Sequence, residues 1–188
     1  DTMQRLFRNS WVVCTAAMLG ATLAPTGRAL EFGGKTYSTD TTLTDGDTWS
    51  SDNVTIDGGV TVTLPGGAEL SFTAGGGPNL YGAGTFRNEG TFTHESAGGT
   101  NIGGAGAGRF ENVGTFNFAS SGDFRLDHSD YVFENTGTIQ KTATSGEEPS
   151  FFFDVAGQFL NSGDIEVTNG ELTLGVRGES TGGDFSVD

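Results

Sequence analysis

The densest run of side chains able to do chemistry is Asp123-Phe-Arg-Leu-Asp127-His128-Ser-Asp130. Carboxylates beside an imidazole are the raw material of general acid–base catalysis. On an extended strand Asp123, Arg125 and Asp127 fall on one face, opposite Phe124 and Leu126. That arrangement reads first as a solvated face carrying a local Asp–Arg pair, and only second as an active site.

A second run, Asp45-Gly-Asp47-Thr-Trp-Ser-Ser-Asp52, has the composition of a calcium loop. It lacks the ligand spacing of the twelve-residue calcium loop, so an Asp-rich turn is the simpler reading. Gly103-Gly-Ala-Gly-Ala-Gly108 is rich in glycine, but no helix pattern follows it, so it is read as an excursion between elements and not as a phosphate cradle. Asn53-Val-Thr55 is a glycosylation sequon, to which little weight is given. The only cysteine is Cys14, and the only imidazoles are His94 and His128. No cofactor or metal is expected.

Charge narrows the partners. The 188 residues hold 9 basic and 24 acidic side chains, a net charge of −15. Nothing here could neutralise a phosphate backbone, so nucleic acid is excluded as a partner. Arg5 and Arg8 precede an uncharged, mostly apolar stretch over residues 11–24, followed by Pro25 and Gly27-Arg28-Ala29. That is the layout of a secretory signal peptide with cleavage near Ala29, and the stretch is shorter than the roughly 20 residues a membrane helix needs. Residues 30–188 keep six of the nine basic side chains and 23 of the acidic ones, a balance of −17, and contain no cysteine. A secreted chain without disulfides needs another source of rigidity, such as a long hydrogen-bonded ladder. No further apolar run suggests a membrane span in the mature chain.

The elements that position these residues repeat. Phe86-Arg-Asn88-Glu-Gly90-Thr91-Phe92, Phe110-Glu-Asn112-Val-Gly114-Thr115-Phe116, Phe133-Glu-Asn135-Thr-Gly137-Thr138-Ile139 and Phe159-Leu-Asn161-Ser-Gly163-Asp164-Ile165 align without gaps. The steps between the asparagines are 24, 23 and 26 residues, a period that marks a solenoid, propeller or array. Asn-x-Gly reads as a turn in which both residues can enter the left-handed region. Thr-Phe-Asn-Phe118 and Asp-Ile-Glu-Val167 alternate as half-buried strands, and Phe124-Arg-Leu126, Phe151-Phe-Phe153 and Leu172-Thr-Leu174 add a second short strand to each unit. Helix signals are nearly absent.

Two or three short strands in about 24 residues fit one coil of a single-stranded parallel β-helix, an all-β fold whose coils stack about 4.8 Å apart. A propeller blade needs more residues, and a sandwich does not require one Asn-x-Gly corner at a fixed step. Stacking would align Phe86, Phe110, Phe133 and Phe159 in one inward column, with Phe92, Phe116, Ile139 and Ile165 in another. Asn88, Asn112, Asn135 and Asn161 would form an amide ladder at one corner. Residues 1–29 are thus read as leader, 30–80 as N-terminal cap and irregular first coils, and 81–188 as regular coils. The last of these stops without a polar cap, so a longer protein is expected.

Residues 84–188 resemble the β-helical repeats of secreted bacterial surface proteins. The resemblance rests on Phe133-Glu-Asn-Thr-Gly-Thr-Ile139-Gln-Lys141 and on Phe159-Leu-Asn-Ser-Gly-Asp-Ile-Glu-Val-Thr-Asn-Gly-Glu-Leu-Thr-Leu174. Similar runs occur in autotransporter passenger domains and in exported proteins with a C-terminal sorting signal. The resemblance implies an exported structural or adhesive protein, secreted or on the cell surface, meeting an extracellular glycan or protein. The alternative is a polysaccharide lyase or hydrolase, which would need carboxylates converging from adjacent coils. Beside Asp123–Asp127 the register expected from the repeat supplies only Thr93 and Glu95 before and Phe152 after. No catalytic residue is therefore assigned.

Overall fold

The computed structural model describes residues 30–73, 77–103, 106–126, 128, 130–142, 150–153, 157–169, 171–175 and 178–187. The proposed leader, Asp127 and residues 104–105 of the Gly-rich run lie outside them. All regular structure among the described residues is β, with no helix. The chain is a parallel β-solenoid: it visits three sheets in turn, and each sheet contains seven parallel strands.

Sheet I holds Asn79–Tyr81, Thr100–Ile102 and Phe124–Leu126. Sheet II holds Thr85–Asn88, Arg109–Asn112, Val132–Asn135 and Gln158–Asn161. Sheet III holds Thr91–His94, Thr115–Phe118, Thr138–Lys141 and Asp164–Val167. Each coil therefore has three strands. The strands Thr36–Tyr37, Thr41–Thr42 and Asp47–Trp49 already occupy the same three sheets, so coiling is under way before residue 50.

These strands form because apolar side chains alternate with polar ones, and the period of two sends one set inward. Phe86 pairs with Phe110, Phe110 with Phe133, and Phe133 with Phe159. Phe92, Phe116, Ile139 and Ile165 stack likewise on sheet III. Phe110 and Phe133 lie face to face at 4.8 Å with planes 9° apart, while Phe116 meets Phe133 edge-on at 5.9 Å. Such pairs contribute about 0.5–1.5 kcal/mol each beyond the area they bury. A single coil encloses no core; the columns supply it only when coils stack.

The Asn-x-Gly corner joins sheet II to sheet III, and its conformation differs from the sequence expectation. Neither the four repeat asparagines nor Gly90, Gly114, Gly137 and Gly163 have positive φ; Asp52 is the only non-glycine residue that does among the described residues. The glycines are needed because the corners nest. A Cβ on Gly114 would strike the carbonyl oxygen of Gly90, and one on Gly137 the carbonyl oxygen of Gly114, far inside van der Waals contact. Those same oxygens accept the backbone N–H of Thr115 at 2.8 Å and of Thr138 at 2.9 Å. Close approach of stacked backbones, and not left-handed geometry, selects glycine here.

Candidate functional site

The asparagine side chains turn inward under this corner and form a continuous ladder. Asn88 Nδ2 donates to Asn112 Oδ1 at 2.7 Å, Asn112 Nδ2 to Asn135 Oδ1 at 2.6 Å, and Asn135 Nδ2 to Asn161 Oδ1 at 2.7 Å. Second amide protons reach the carbonyls of Thr115 and Thr138. All four asparagines are buried. The ladder begins where Leu64 pairs with Asn88, which leaves Asn88 Oδ1 buried without a partner. Every amide points the same way, so the ladder is a polarised chain of mutually reinforcing bonds.

Outside the same strands runs a charged stripe. The position between Phe and Asn in the repeat is Arg87, Glu111 and Glu134 in successive coils, aligned one above another. Arg87 donates to Glu111 at 2.8 Å and to Glu89 at 2.7 Å; Arg109 donates to Glu134 and lies 3.8 Å from Glu111. The bonds to Glu89 and Glu111 raise the Arg87 pKa further. Beside this stripe a groove of about 250 Å³ is lined by Arg87, Glu111, Val113, Glu134 and Thr136. A second of similar size shares Glu134 and continues past Leu160, Ser162 and Thr181. The line thus follows the stacking direction over several coils.

Among the described residues, carboxylates on adjacent coils meet here and not around Asp123. Arg87, Arg109, Glu111 and Glu134 sit at variable positions of the repeat, so no shared identity marks them; only the register brings opposite charges together. Glu111 and Glu134 each accept from a guanidinium group. Half-exposed ion pairs of this kind add little stability. Glu134→Gln should therefore shift folding free energy by less than about 1 kcal/mol in a denaturant titration. That makes it suitable for testing binding without disturbing the fold.

The other sequence candidates occupy different places. Arg125 donates to Asp123 at 2.7 Å on the outer face of sheet I, a local pair. The neighbours in register are Asn101 before Arg125 and Phe152 after it, so Thr93 and Glu95 belong to another face. Expecting those two residues overlooked Thr100–Ile102, the counterpart of Phe124–Leu126 one coil earlier. Asp127, the other carboxylate of that cluster, lies outside the described residues. Asp47 is buried and binds backbone: its carboxylate accepts from the amides of Leu30 and Thr44 at 2.8 and 3.0 Å. Asp45 accepts from the Glu69 amide, and the Asp52 carbonyl accepts from the Trp49 indole. These three aspartates hold turns. Among the described residues no cluster of three or more His, Cys, Asp or Glu is placed to hold a metal ion, and no helix is long and apolar enough to cross a membrane.

One buried group was not foreseen. His94 pairs with Phe72 before and Phe118 after, so it occupies an inward column, and it is fully buried. Aligning Thr91-Phe-Thr-His94 with Thr115-Phe-Asn-Phe118 would have shown this. Lys141 follows Phe118 in the same column and is equally buried.

Set against protein-family models, curated proteins and solved structures, the chain matches none.

Proposed function

We propose that this chain is an exported, non-catalytic surface solenoid whose outer face holds an extracellular glycan or protein. The observation that supports binding over catalysis is the Arg87–Glu111–Arg109–Glu134 stripe beside its groove. It offers an extended line of fixed donors and acceptors on a rigid sheet, with both carboxylates already committed to arginines. Stacked coils suit such a task because backbone ladders fix outward side chains without disulfides. The strong negative charge would keep molecules apart and soluble. Export rests on the leader-like segment before Leu30, and the protein is expected outside the cell or on its surface.

The test is binding of the full chain to immobilised polysaccharides and to intact cells, compared with an Arg87→Ala/Arg109→Ala variant. At least a tenfold loss of binding in the variant, with substrate chains left uncut, is the expected result. The second reading, a polysaccharide lyase or hydrolase, is favoured by the adjacency of Glu111 and Glu134. It would be established by new chain ends that vanish in Glu111→Gln or Glu134→Gln. Protein recovered outside the cell with a new N-terminus near Leu30 would support export; retention of residues 1–29 on intracellular protein would defeat it.

A further inference from the structure

His94 lies where protonation has nowhere to go. Its ring sits 4.9 Å from Phe72, 5.9 Å from Phe118 and 6.3 Å from Phe124, between consecutive coils. Ser120 donates its hydroxyl proton to the Ser96 carbonyl at 2.6 Å, so its oxygen is left to accept from His94 Nδ1–H at 3.4 Å. Nε2 is then the bare nitrogen, buried and without a hydrogen-bond partner. Gly122 closes the roof, since a Cβ there would stand 2.7 Å from His94 Cε1. A proton on Nε2 would put a charged N–H into aromatic surroundings with no acceptor, which is costly unless the site opens.

The charged groups around this ring do not relieve that cost. Among the described residues Asp123 is the carboxylate that favours the charged imidazole, and it is bonded to Arg125. Glu69 and Glu95, on the strand below and just after His94, are exposed. Lys141 stands in the same column beyond Phe118 and is itself buried. Burial is the largest influence and holds the His94 pKa down at about 4, against an ordinary 6.5.

We infer that acid loosens the solenoid at its middle coils, with protonation of His94 as the trigger. The unfolded or opened site takes up the proton first, because its imidazole titrates near the ordinary value. Stability from the neutral ring is complete above about pH 6.5 and is lost as the pH falls toward 4. Coils that contact only their neighbours can open locally, so the loss need not spread to the ends.

Native-state hydrogen exchange on the full chain reads this directly. Between pH 7.5 and 5, after correction for intrinsic rates, the opening constant for amides of Glu69–Phe72, Thr91–His94 and Thr115–Phe118 should rise about 30-fold more than in His94→Phe. Phenylalanine matches Phe72 and Phe118 in size and cannot titrate. Equal pH dependence in both proteins, or loss spread evenly over all seven levels, overturns the inference. Should the variant fail to fold, the imidazole nitrogen shifts of the unmodified protein decide. A ring still neutral at pH 5 upholds the inference, and a midpoint near 6.5 overturns it.

Discussion

Gly114→Ala and Gly137→Ala should each destabilise the solenoid by about 3 kcal/mol or more, at the upper end for forced overpacking. The added methyl on residue 114 meets the Gly90 carbonyl oxygen and lies 2.7 Å from that of Glu89. This backbone is pinned on both sides, because the Gly90 oxygen holds the Thr115 amide and the Asn88 oxygen accepts from both Val113 and Gly114. The strain is therefore passed to the neighbouring coils. Gly59 supplies the contrast: it has φ of +79°, but a Cβ added there would meet nothing within 4 Å. Gly59→Ala should cost only about 1–2 kcal/mol, the conformational penalty alone. Denaturant midpoints in which Gly59→Ala is the more damaging change would show that corner glycines serve backbone conformation after all.

Asn112→Ala should cost about 3 kcal/mol. Its amide is donor to Asn135 Oδ1 and acceptor from Asn88 Nδ2, so truncation orphans one buried group on each side, at about 1–3 kcal/mol apiece. The Thr138 carbonyl loses a donor as well. Asn112→Gly should do no better, since Asn112 has no positive φ for glycine to relieve. Asn117→Ala is the control. It points outward, and its one side-chain bond accepts from Thr142 at 2.7 Å in an exposed setting, so the loss should stay below about 1 kcal/mol. Unchanged midpoints for both Asn112 variants would reduce the ladder to a decoration of the corner.

Residues that recur as the same type could be read ahead of the structure, and residues whose meaning depends on a neighbour one coil away could not. Phe110 and Asn112 recur at nearly even steps, so the parallel solenoid, its two inward columns and the amide ladder were legible in the sequence. The reason for Gly114 was not, because Asn-x-Gly is ambiguous between a left-handed turn and a nested corner, and only stacking distinguishes them. Arg87, Glu111 and Glu134 share a position but no chemistry, and their complementarity appears only in register. Thr100–Ile102, the counterpart of Phe124–Leu126 one coil earlier, is three residues long with one polar residue facing out, too short to carry a period of its own. Missing it displaced the expected neighbours of Asp123.

The lengths of successive coils also bear on heredity. Between the asparagines the chain spends 24, 23 and then 26 residues, yet the step from Asn to the following strand stays constant. All the variation falls in the connections that lead to and from sheet I. Tandem duplication or loss of one regular repeat in the gene would keep the backbone register, with the repeat phenylalanines of sheet II and the asparagines again stacked like on like. A single codon inserted between Asn112 and Thr115 would instead throw the following strand onto its wrong face. Such a molecule is free to change its length in units of a coil, while its corner is closed to insertion.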